Sequence, residues 1–161
     1  MVSNLPAKLT QIELAPGHKR GLTLNSPFIA ESGCWGFVDE YSKVINMHLL
    51  GAMITNPITA YPRQPARGVQ IREIDPGIVL HTGLPNPGIH KALLKFGKKW
   101  SKFSCPIIVH LAVDNPDEVN ECIYQLEEQD NVLGIELGFH YHENPNHAAA
   151  IIAKAAKGSL P

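Results

Sequence analysis

The chain has 161 residues, 44% of them hydrophobic and 18% charged, with a formal net charge of −1. That balance suits a globular fold with a sizeable core, expected as one domain over 1–161, and argues against a disordered chain. A near-neutral charge also argues against nucleic acid as a partner, because phosphate backbones are bound by an excess of Lys and Arg.

Residues 8–14 and 20–24 alternate weakly around "APGHK", which predicts a hairpin turning at Pro-Gly. "SPFIAESGC" supplies a short apolar strand over 27–31. In "VDEYSKVINMHLLG", Val38, Tyr41, Val44, Ile45 and Leu49 recur at helical spacing, and Gly51 suits a C-cap. "AMITNPIT" is a second strand, stopped by Pro57, and the Pro- and Arg-rich stretch 60–68 reads as an exposed loop. "VQIREI" and "GIVLHT" flank "DPG" as a second hairpin. "NPGIHKALLKFGKKWSKF" reads as a helix with Asn86 as N-cap and Pro87 at its first position, its lysines on a solvated face. "CPIIVHLAV" is a β-branched third strand. "NPDEVNECIYQLEEQ" is a helix with Asn115 as N-cap, Pro116 at N1 and acidic residues in the first turn. "VLGIELGF" is a fourth strand, and "NHAAAIIAKAAKG" a helix closed by Gly158.

Four apolar strands alternating with amphipathic helices imply an α/β fold, a parallel sheet covered by helices. Neither a Gly-x-Gly-x-x-Gly nor a P-loop follows the strands, which disfavours the common nucleotide-binding folds. Cys34, Cys105 and Cys122 are odd in number and widely spaced, which supports neither a disulfide framework nor a zinc knuckle. Cys34, after the Ser-Gly turn, is a candidate reactive thiol, with a small buried hydrophobe as the plainer reading. No signal peptide and no apolar run of membrane-spanning length is expected, so a soluble, cytoplasmic protein is anticipated.

"SPFIAESGCWG", "LGAMITNPIT" with a later Pro-Arg, "GLPNPG", "CPIIVHLA" and "GIELGFHYHENPN" together resemble, in order and spacing, the dihydroorotate dehydrogenases, FMN-dependent (β/α)8 barrels. The resemblance covers roughly residues 24–160. It implies a TIM-barrel-like half barrel of four βα units, with one hairpin in front and another inserted after the second strand. A complete barrel needs about 250 residues and eight strands. Either the chain is a fragment of such a barrel, or the half barrel meets another half, in a homodimer or with a partner chain supplying strands five to eight.

The resemblance implies FMN as cofactor, hydride transfer to or from a small planar substrate, and a place in pyrimidine biosynthesis. It puts Ser32, Gly33, Thr55, Asn56 and His110 along the flavin, and Gly83, Leu84 and Asn86 in the substrate loop. Asn56 stands where the family has lysine, His110 where it commonly has asparagine, and Gly138 where it has the substrate-binding asparagine. Tyr141 falls at the family's Cys or Ser base, flanked by His140 and His142, so Tyr141 and His140 are the catalytic candidates. No metal is expected. The alternative is a three-imidazole site of His110, His140 and His142, with His81 as a further candidate. Glu136, inside an apolar strand, calls for a partner and suits a structural role. Trp35 and Tyr61 are candidates either for stacking on a flat ligand or for packing. A non-catalytic half-barrel interaction protein is the alternative to the oxidoreductase.

Overall fold

The computed structural model describes residues 10–38, 40, 43, 44 and 46–161. Strands β1 (Ile12–Glu13) and β2 (Thr23–Leu24) form the expected antiparallel hairpin. Four strands then build one parallel sheet: β3 (Ile29–Ala30), β4 (Ala52–Ile54), β7 (Ile107–Leu111) and β8 (Val132–Leu137). Their order is β3-β4-β7-β8, so each core strand lies beside the one before it in sequence. Sequential parallel order is what a (β/α) barrel wall requires. Between β4 and β7 the hairpin β5 (Ile71–Ile74) and β6 (Gly77–Leu80) stands as its own two-stranded sheet.

Three helices follow the expected segments. Helix α1 is Ile89–Trp100, α2 is Pro116–Glu127 and α3 is Pro145–Ala155. Asn115 caps α2 through Oδ1, which accepts the Asp117 N–H at 3.0 Å, and Pro116 opens the helix. Asn144 caps α3 in the same way. That helix ends at Ala155, short of Gly158.

The alternation of side chains along the strands splits the core in two. Met53, Ile107, Val109, Leu111 and Val132 join the helices in the larger cluster, around the fully buried Trp100. The Trp100 indole N–H donates to the Phe37 carbonyl at 2.7 Å, which removes the cost of burying it. Ala52, Ile54 and Ile108 face the other way, and Leu22 and Leu24 of the first hairpin cover them. The hairpin is thus a lid on the inner face of the wall. A register shift between Ile107 and Ile108 inserts one extra residue in β8, after which His110 and Glu136 are direct partners.

Several expectations are corrected. Helix α1 begins at Ile89 after Gly88, so Asn86 is not its N-cap and Pro87 is not its first residue. Asn86 is consumed elsewhere, as shown below. Gly51 caps no helix: the structure there is a single 3-10 turn, Met47–Leu49, and a Cβ on Gly51 would overlap the Ser26 carbonyl oxygen. The helix expected across 38–49 falls partly on residues 39, 41, 42 and 45, which lie outside the described residues. Cys34 is exposed rather than buried.

Candidate functional site

The C-terminal ends of parallel strands are where a barrel displays its chemistry, because the loops there converge while the strands below hold them. Around the ends of β3, β4 and β7, three of the expected flavin residues are tied together. The Ser32 hydroxyl donates to the Thr55 carbonyl at 2.8 Å, and the His110 backbone N–H donates to Thr55 Oγ1 at 3.2 Å. Thr55 is fully buried, so its hydroxyl knits β4 to β7 and is not free for a ligand. Gly33 adopts φ +87, the left-handed region that favours glycine, and a Cβ built on it would meet nothing within 4 Å. The turn therefore offers an open backbone surface.

Asn56 is the anomaly. Its backbone N–H donates to the Gly36 carbonyl at 2.7 Å, but its side-chain Oδ1 is buried with no hydrogen-bond partner. An unmet buried acceptor costs about 1–3 kcal/mol and needs explaining. A ligand that brings a donor explains it.

A pocket of about 130 Å³ is lined in part by Arg63, Leu84, His110, Asp114, Gly138 and His140; of the expected flavin residues only His110 lines it, and Ser32, Gly33, Thr55 and Asn56 do not. Arg63 pairs with Asp114 at 2.5 Å, and His140 Nε2 lies 3.1 Å from the other Asp114 oxygen. His110 Nδ1 meets Glu136 Oε1 at 2.5 Å. Glu136 has the expected partner, but its side chain is half-exposed rather than buried, so burial is not what requires the pairing. The three loops after β4, β7 and β8 meet on Asp114.

The substrate-loop residues divide. Leu84, at φ +50, lines the pocket. Gly83 packs instead against Ala66, whose backbone N would lie 2.7 Å from a Cβ there. The Asn86 amide is fully engaged in holding loops: its Oδ1 accepts from Thr59 N–H (3.1 Å), Thr59 Oγ1 (3.0 Å) and Gly88 N–H (2.9 Å). Its Nδ2 donates to the Leu84 carbonyl at 2.8 Å. Asn86 therefore fixes where Leu84 and Arg63 stand.

The two catalytic candidates are not brought together in the pocket. His140 lines it, but Tyr141 is 96% exposed and packs edge-on against His142. Among the described residues no group of three or more His, Cys, Asp or Glu could hold a metal ion, so His110, His140 and His142 do not assemble one, and His81 is exposed. Trp35 packs on the core and Tyr61 is exposed. Sequence reasoning missed Asp114 altogether, and took Arg63 only as part of a Pro-Arg loop. The one available signal for Asp114 was its place between the end of a strand and the Asn115 cap.

The sequentially ordered parallel wall, with its polar groups gathered at the C-terminal strand ends, defines one side of a (β/α) barrel. The family model described as dihydroorotate dehydrogenase matches residues 18–139, and the chain belongs to that family. Relatives include proteins named dihydroorotate dehydrogenase B (NAD(+)), catalytic subunit. That of Listeria welshimeri is 33% identical over 117 residues, covering 73% of this chain and 38% of the relative. That of Bacillus pumilus is 31% identical over 148 residues, covering 85% and 47%. That of Desulforudis audaxviator is 26% identical over 149 residues, covering 86% and 48%. The chain thus spans less than half the length of these curated relatives.

Proposed function

We propose that this chain is the N-terminal half of an FMN-dependent oxidoreductase of the dihydroorotate dehydrogenase type, exchanging hydride with a small planar substrate. The single observation that carries the reading is Asn56 Oδ1, buried and unpartnered beside the open Ser32–Gly33 turn. A flavin ring edge carries donors and acceptors side by side, and its N–H meets the chemistry of that atom. The residues present therefore fit one edge of the ring. The bound flavin would supply the hydride chemistry. This chain would orient the ring through Ser32, Gly33 and Asn56 and keep water from it through Leu84.

A pocket of about 130 Å³ is small beside the roughly 300–1,000 Å³ of ligand sites. The fit calls for a second wall, from another copy of this chain or from a separate chain. FMN mixed with the protein and passed through gel filtration tests the reading. Co-elution of flavin absorbance with protein larger than a monomer is the expected result, and complete separation of FMN from protein overturns it.

A non-catalytic half barrel is favoured by a different observation. The β5–β6 hairpin exposes Ile71, Ile74, Ile78, Val79 and Leu80, an apolar surface of the kind that marks protein partners. On that reading the protein would form a stable complex and release all FMN.

A further inference from the structure

We propose that His110 is the ligand-facing hydrogen-bond acceptor of this pocket, that Glu136 positions it, and that Gly138 makes room for it. The ligand is the small planar substrate of the reading above, and what is new is the atom that receives its ring N–H. The proposal deepens the reading above and rests on it for the location of the substrate, but its test uses no flavin.

The register of β7 and β8 sets His110 opposite Glu136 on the same inner face, with Nδ1 and Oε1 at 2.5 Å. A carboxylate only accepts hydrogen bonds, so a neutral imidazole held this way keeps its proton on Nδ1 and leaves a lone pair on Nε2. Nε2 stands over Gly138, where any Cβ would overlap it. The φ of Gly138 is not in the left-handed region, so backbone conformation does not require the glycine. Space for the ring does.

The imidazole is also the titratable group this pocket encloses best. The His110 side chain is 18% exposed, against 66% for His140, which is engaged with Asp114. Arg63 is likewise held by Asp114. The pocket that His110 lines also has apolar walls from Leu84, Ala112 and Phe139. A flat ring with a donor edge satisfies both features.

The test is nitrogen NMR of the histidine-labelled protein, with uracil as the planar N–H probe. The expected result is a His110 protonated on Nδ1, with an Nε2 resonance that moves saturably as uracil is added. In Glu136→Gln the preference for that tautomer should be lost. An Nε2-protonated tautomer, uracil binding without change at Nε2, or no uracil binding would overturn the proposal. Loss of FMN retention alone bears on the preceding reading instead. A thermal cycle supplies the second arm. Gly138→Ala should lower Tm by about 4 °C with His110 present and by far less in a His110→Ser background. Equal losses in both backgrounds would overturn the pairing of His110 with Gly138.

Discussion

His110 and Glu136 face one another across β7 and β8, in register, with Nδ1 and Oε1 at 2.5 Å. Neither sits in a loop. The two longest strands of the wall hold this pair, while the groups around it, Arg63, Asp114 and His140, come from loops. A polar pair carried on paired strands is held more exactly than one carried on loops, which suits it to orienting a ligand.

Asn56 should display the trade-off between binding and stability. Asn56→Leu removes the unmet acceptor, so the ligand-free protein should gain about 1–3 kcal/mol. Its FMN affinity should fall by about tenfold or more, since one good hydrogen bond is worth roughly that much. Urea melts with and without FMN check both halves. A destabilised Asn56→Leu would show that Oδ1 has a partner in solution.

Thiol reactivity should separate the cysteines. Burial pushes Cys105 up to about 11, and burial followed by the charges of Glu121 and Glu118 pushes Cys122 up to about 12. Thiolates are the reactive form, so both should resist modification. Cys34 is exposed. Ellman's reagent at pH 8 should find one fast thiol in the folded protein and all three in urea. A native protein that reacts at Cys34→Ser as fast as wild type would contradict this.

Acid should loosen the chain end. The Ser159 backbone N–H donates to Glu127 Oε1, and that bond is the chief reason the Glu127 carboxyl lies below its ordinary value of 4.5. A carboxyl lowered in the folded state binds its proton more readily when unfolded. Its contribution is therefore complete above about pH 4.5 and is lost as pH falls through the lower folded value. Glu143, lowered chiefly by its bond to His147, acts in the same direction. Melts at pH 7 and pH 3 should differ less in Glu127→Gln than in wild type.

Gly51 should be intolerant of a side chain. Its N–H donates to the Phe28 carbonyl at 2.7 Å, and a Cβ would overlap the Ser26 carbonyl oxygen. Gly51→Ala forces β3 and β4 apart and should cost about 1–3 kcal/mol, as overpacking does. A melt within about 0.5 kcal/mol of wild type would contradict that close approach.

The strands and helices were legible wherever periodicity and punctuation agreed. β7, β8 and α2 are examples: β-branched runs, then Asn115-Pro116 opening the helix. Asn86 misled because it carries the same Asn-Pro signature, yet its amide is claimed by Thr59 and Gly88. Gly51 sat where a C-cap belongs, but its cause is a neighbouring backbone. The resemblance named Ser32, Thr55 and His110, which two hydrogen bonds link in the structure. It could not give the pairing of His110 with Glu136, because that depends on a one-residue register shift near Ile107 that no local pattern records. Tyr141 falls at the family's catalytic position, but its loop carries it out to solvent.

The most direct measurement is a fluorescence titration of FMN with wild-type protein and Asn56→Leu side by side. Saturable quenching by wild type, weakened about tenfold by the substitution, is the expected result. Free FMN fluorescence unchanged by wild-type protein would contradict the flavin site.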